Sequence, residues 1–185
     1  ILTTEILVNR RVRASGLFIC RPAPVWILCA YRSFVDFLFG CVCSQLITDV
    51  GKYTIGRLRP NFIDVCRPNI DLRNCSQYGR TYMTNYVCTN SDTDASESRV
   101  SFPSGHSSFS AYTMLYIAIF IQVKVQVGRK TTLRLFKHGF QLAVILLSYF
   151  TALSRVMDNK HHWSDVLAGA LIGSITAAIV VSFFL

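Results

Sequence analysis

Val166 to Leu185 is a run of twenty residues without a charge. About twenty apolar residues are what a helix needs to cross the hydrocarbon core of a bilayer. Within that core every backbone N–H and C=O needs a partner inside the protein, so such a run has to be helical. Gly169, Gly173 and Ala177 recur at every fourth position. One face of the helix is therefore small and suited to close packing against another helix. The rival reading is a buried helix in a water-soluble core. It is disfavoured because runs of similar character recur at Phe34 to Val50, Ser107 to Val123 and Gly139 to Leu153. The chain is 51% hydrophobic with a mean hydropathy of +0.37. The expected fold is an all-α, polytopic transmembrane helix bundle.

Charge placement gives the expected orientation. Asn9 to Pro24 carries Arg10, Arg11, Arg13 and Arg21 and no acid. Lys124 to Lys137 carries Lys124, Arg129, Lys130, Arg134 and Lys137 and no acid. Both segments are expected on the cytoplasmic side. The long connection at residues 51–102 is mixed in sign and is expected outside or in a lumen, as is Ser154 to Trp163. Nucleic-acid binding is set aside, because the basic residues flank hydrophobic runs without aromatic interleaving. The net charge of +9 then mostly reports topology. Asn74-Cys75-Ser76 is an N-glycosylation acceptor triplet in the outer connection, with Asn74 as the acceptor. Cys66, Cys75 and Cys88 share that connection, and the spacing leaves open which two form a disulfide. Cys29, Cys41 and Cys43 read as small buried hydrophobes, and Cys20 as a plain cysteine rather than a palmitoylated one.

Three polar clusters interrupt this apolar chain. The first is Lys52-Tyr53-Thr54-Ile55-Gly56-Arg57-Leu58-Arg59-Pro60, the second Pro103-Ser104-Gly105-His106, and the third runs from Ser154-Arg155 through His161 to Asp165. With alternating spans, all three fall on the same outer face. Lys52, Arg59 and Arg155 supply fixed positive charge; a guanidinium matches two phosphoryl oxygens, and Lys acts as a point charge. Arg57 and Lys160 read instead as interfacial headgroup anchors. Pro60 keeps Arg59 near a helix end or turn. Ser104 and Gly105 open the next helical run, where backbone N–H groups and a small residue suit an anion. A plain helix cap accounts for Ser104 and Gly105 but not for His106. His161 and Asp165 are four apart and are neighbours if helical. Asp165 is then placed to accept the Nδ1 proton of His161 and leave Nε2 free as a nucleophile. His162 lies off that face. A zinc site on His106, His161, His162 and Asp165 is the chemical alternative. Three cations with one positioned carboxylate argue for a metal-free site.

In order and spacing the clusters fill every defined position of the pattern K-x6-R-P, P-S-G-H, S-R-x5-H-x3-D. The chain thereby resembles the type 2 phosphatidate phosphatase superfamily. The stretches Thr48 to Pro60, Ser104 to Ser110 and Lys160 to Val166 are most similar to its animal lipid phosphate phosphatase (phospholipid phosphatase) subfamily. The resemblance implies a six-helix core, of which this chain would carry the end of helix two through helix six. Residues 1–185 would form a single, N-terminally truncated domain; the stub Ile1 to Val8 lacks the charged leader of a signal peptide. It also implies a multi-pass membrane enzyme, of the plasma membrane, with an extracellular or lumenal site. Its substrates would be phosphatidate, lysophosphatidate, sphingosine 1-phosphate and ceramide 1-phosphate, with no cofactor and no nucleic acid; homo-oligomer formation stays open. His161 would be the nucleophile of a phosphohistidine mechanism, His106 the general acid and base, and Asp165 the orienting group. Lys52, Arg59, Ser104, Gly105 and Arg155 would hold the phosphoryl group. The alternatives are a lipid phosphotransferase, a sugar or polyprenyl phosphate phosphatase, or an inactive binding relative. The last is disfavoured because no motif residue is lost.

Overall fold

The computed structural model describes residues 25–69, 86–90, 96–126 and 131–184. Four long helices carry the fold: α1 (Val25–Ile55), α3 (Gly105–Lys124), α4 (Thr131–Met157) and α5 (Trp163–Phe184); a short α2 (Phe62–Cys66) lies in the connection between α1 and α3. No strand occurs among the described residues beyond one isolated bridge between Pro68 and Cys88. Helices α1, α4 and α5 are each long and apolar enough to cross a membrane. Their lipid-facing surfaces expose large side chains such as Phe39, Leu46, Phe136, Phe150 and Leu171. The chain is an integral membrane helix bundle.

Helix α3 differs from the other three. It is long enough to span, with 20 residues, but it is rich in Ser, Thr and Tyr and does not reach the hydropathy of the others. The reason is its position. It is the central helix, packing most extensively on α5 and then on α4 and α1. Its polar side chains bond to neighbouring helices instead of facing lipid. Ser108 Oγ lies 2.9 Å from both Ser44 Oγ and Thr48 Oγ1, Ser107 Oγ donates to the Val166 carbonyl at 2.8 Å, and the Tyr112 hydroxyl donates to the Phe37 carbonyl at 2.9 Å. Tyr112, Tyr116, Ala177 and Val180 form the apolar centre.

The small stripe on α5 is used within the chain. A Cβ on Gly169 would collide with the Ser104 carbonyl, and one on Gly173 with the Ser108 carbonyl. These two glycines let α5 lie directly against the backbone of α3, and Ala177 beside them is fully buried. Close backbone approach is how membrane helices gain packing where no hydrophobic drive separates them from lipid.

The ends of these helices define the site. Gly56, at φ 60°, stops α1 just beyond Lys52. Ser104 precedes α3, Arg155 lies in the last turn of α4, and Asp165 in the first turn of α5. The three sequence clusters therefore meet at one end of the bundle. The connection between α1 and α3 is tied down by a Cys66–Cys88 disulfide, which resolves the pairing the spacing left open. Asn74, Cys75, Cys20 and the segments 1–24 and 127–130 lie outside the described residues.

Candidate active site

Asp165 is the structural centre of the site. Its side chain is fully buried at the start of α5. Arg57 Nη1 donates to Asp165 Oδ1 at 2.7 Å and to Ser164 Oγ at 2.7 Å. Ser101 Oγ donates to Asp165 Oδ2 at 2.6 Å, and the His162 backbone N–H to the same oxygen at 3.1 Å. The carboxylate is thus held by three donors and a positive charge. A buried carboxylate needs such company, since an unpaired charge away from water is strongly unfavourable.

His161 does not contact this carboxylate as the four-residue spacing suggested. It sits in the turn before α5, not on the helix. Its Nδ1 lies 2.8 Å from the Ser101 carbonyl and 3.3 Å from Ser101 Oγ. A carbonyl only accepts, so Nδ1 carries the proton and Nε2 is left with its lone pair. The Nδ1–H tautomer here follows from the Ser101 carbonyl, so the orienting partner is Ser101 and not Asp165. Asp165 acts one step back, fixing Ser101 through its hydroxyl. Burial, and then the field of Arg59, push the His161 pKa down to about 4, against the opposing hydrogen bond of Ser101 and the charge of Asp165. The ring is neutral at pH 7.

His106 is exposed, on the first turn of α3. Partial desolvation and the positive fields of Arg155, Lys52, Arg59 and Lys160 hold its pKa below the ordinary histidine value. Those four cations and both histidines therefore share one small region. Among the described residues, Lys52 pairs with Asp49 and Arg155 with Asp158, each at 3.1 Å. A Cβ on Gly105 would lie 3.1 Å from Lys52 Nζ, so the glycine at this position gives the ammonium group room beside the start of α3.

Two buried polar atoms here have no hydrogen-bond partner among the described residues: Arg59 Nε and Ser104 Oγ. Ser104 stands at the N-cap of α3 but makes no capping bond with its side chain, so the plain-cap reading does not apply. Leaving a buried polar group unpaired costs about 1–3 kcal/mol. An anion with several acceptor oxygens would satisfy both atoms.

Two participants were not assigned from sequence. Arg57 had been read as a headgroup anchor; its guanidinium instead neutralises buried Asp165. Ser101, outside every motif, is the residue that touches both His161 and Asp165. The connection between α1 and α3 positions both, because the Ser101 N–H donates to the Arg57 carbonyl at 2.8 Å and the Arg59 N–H to the Ser98 carbonyl at 2.8 Å. Arg57 could have been found by asking which cation balances the buried aspartate. Ser101 had no sequence signal. Lys160, also read as an anchor, contributes to the field on His106.

Residues 33–185 match the PAP2 superfamily. The chain is 43% identical to phospholipid phosphatase 1 of Rattus norvegicus over 158 residues, 85% of this chain and 54% of that protein. It is 40% identical to phospholipid phosphatase 1 of Mus musculus, over 90% of this chain and 56% of that protein, and 40% identical to phospholipid phosphatase 2 of Homo sapiens, over 85% and 53%. The chain spans about half the length of these relatives. No solved structure matches it.

Proposed function

Because the chain belongs to the PAP2 superfamily, we propose that this bundle end hydrolyses lipid phosphomonoesters by way of a phosphohistidine. The observation that carries the proposal is the pair of buried donors without a partner among the described residues, Arg59 Nε and Ser104 Oγ, beside Lys52, Arg155, Lys160 and a neutral His161 whose Nδ1 carries the proton. Phosphatidate, lysophosphatidate, sphingosine 1-phosphate and ceramide 1-phosphate are the substrates in this reading. Lys52, Arg59, Arg155, Ser104 and the backbone at Gly105 hold the phosphoryl oxygens.

In the first step Nε2 of His161 bonds to phosphorus and the bond to the lipid oxygen breaks. His106 gives its proton to that oxygen. The cations that lower the His106 pKa in the open site are offset by the arriving phosphate dianion, which favours the protonated ring. In the second step His106 takes a proton from water, the water oxygen bonds to phosphorus, and the bond to His161 breaks. Fixed cations placed where charge builds up on phosphorus supply the electrostatic stabilisation. A site at the end of the spans lets the lipid keep its chains in the bilayer.

The nearby carboxylates Asp165, Asp49 and Asp158 are each held by a cation, which is the ground for expecting metal-free catalysis. Phosphate release from short-chain phosphatidate should persist in excess EDTA, and orthovanadate should inhibit it. Loss of activity in EDTA that magnesium or zinc restores is the outcome that rejects this reading.

The site is proposed to face the extracellular or lumenal side, at the plasma membrane, with Asn74 glycosylated. The Cys66–Cys88 disulfide suits an oxidising compartment, and Lys124 and Lys137 lie at the opposite end of the bundle from the site. Glycosidase treatment should shift the protein's mobility, and Asn74→Gln should remove the shift. A tag placed between residues 124 and 137 that is reached from outside intact cells would reverse the topology.

A further inference from the structure

A cavity of about 350 Å³ opens at Lys52 and His106 and continues between α1, α3 and α4, where Gln45, Phe109, Ser110 and Thr151 line it. Each of three site residues has a neutral hydrogen-bonding residue on the same helix face deeper in the bundle. Ser110 is four residues after His106, Thr151 four before Arg155, and Gln45 seven before Lys52. These spacings correspond to about 6 Å and about 10 Å along a helix. A polar ring thus lies about one to two turns below the charges.

This ring offers acceptors. The Ser110 hydroxyl donates to the Ser107 carbonyl at 3.2 Å and the Thr151 hydroxyl to the Leu147 carbonyl at 2.9 Å. Their protons are engaged on their own helices, and their oxygen lone pairs remain. Ser148 Oγ donates to Ser110 Oγ at 3.4 Å, which leaves Ser110 one lone pair and Thr151 two. In an in-line displacement the leaving oxygen lies opposite the attacking nitrogen of His161 and next to the group that protonates it, His106. The cavity begins at His106, so the lipid's linkage region enters there.

We propose, on the basis of the phosphatase reading above, that this cavity is the leaving-group pocket. It selects lipid phosphates with a hydrogen-bond donor on the carbon next to the phosphate-bearing one. Ser110 and Thr151 accept that hydrogen bond. A free hydroxyl or ammonium at that carbon makes this bond; an ester, which only accepts, does not, so phosphatidate is turned over without it and less efficiently.

The probe is 1-oleoyl-lysophosphatidate against its 2-O-methyl ether, which differs only in the donor, assayed with the membrane-expressed protein in mixed micelles. The wild type should favour the free hydroxyl in kcat/KM by about fivefold, the size expected of one hydrogen bond. Ser110→Ala/Thr151→Val should bring the ratio near one while still turning over the ether, which reports that the variant is folded. Thr151→Ser, which keeps the oxygen, should keep the preference. A wild-type ratio near one, a preference that survives the double substitution, or equal loss on both substrates overturns the proposal. If the wild type hydrolyses neither substrate, the phosphatase reading itself fails.

Discussion

His161→Ala should abolish phosphate release from every phosphomonoester, while His106→Ala should spare substrates with a good leaving group. The two histidines differ in the work assigned to them. In the proposed mechanism His161 forms the covalent bond to phosphorus, so no substrate bypasses it. In the same proposal His106 protonates the departing oxygen, and such help is worth about 10²–10⁴-fold for a poor leaving group. A lipid alkoxide needs that proton; a nitrophenolate hardly does. His106→Ala should therefore lose far more activity on phosphatidate than on nitrophenyl phosphate. Slow hydrolysis of the phosphoenzyme narrows the difference at steady state, so the phosphorylation step is best followed by rapid quench. Equal losses on both substrates in that step would reject the acid role. Phosphoenzyme labelling that survives His161→Ala would reject the nucleophile.

The parts of the fold visible in the sequence were those set by local periodicity. The uncharged run after Val166 became α5, and the Gly169, Gly173, Ala177 stripe became its contact with α3. The three polar clusters met at one end because alternating spans leave no other arrangement for them. Legibility declined where a residue's role depends on a partner far along the chain. Ser101 has no local mark, and it became important only because the connection between α1 and α3 brings it against His161 and Asp165, at separations of 60 and 64 residues. The helical i, i+4 rule misplaced His161, because the residues before Trp163 form a turn rather than helix. Arg57 was undervalued because its charge alone does not say what it neutralises. Helix α3 is polar for a span because its neighbours are protein, a property of the assembled bundle and not of its own composition.

Arg57→Ala should lower kcat by about 100-fold with little change in KM. The substitution leaves the fully buried Asp165 carboxylate with Ser101, Ser164 and the His162 N–H but without its counter-charge. Breaking a buried pair from one side costs about 3–5 kcal/mol. The Arg57 side chain is 39% exposed, so the lower end of that range applies. Part of that cost should appear as movement of Ser101, whose hydroxyl proton and carbonyl link Asp165 to His161. A displacement near 1 Å at a reacting group is enough for about a 100-fold loss. A structural role alone would predict something different, and a double variant separates the two. Arg57→Leu/Asp165→Asn removes both charges and should recover much of the lost thermal stability. It should not recover kcat, because the amide no longer holds Ser101 and the Nδ1–H of His161 in the same register. Arg57→Lys keeps the charge but not the shape and reach of the guanidinium, whose Nη1 donates to both Ser164 and Asp165, so it should fall between the wild type and Arg57→Ala. Arg57→Ala that keeps kcat within twofold, or a double variant whose kcat returns along with its stability, would show that the pair serves the fold and not the position of His161.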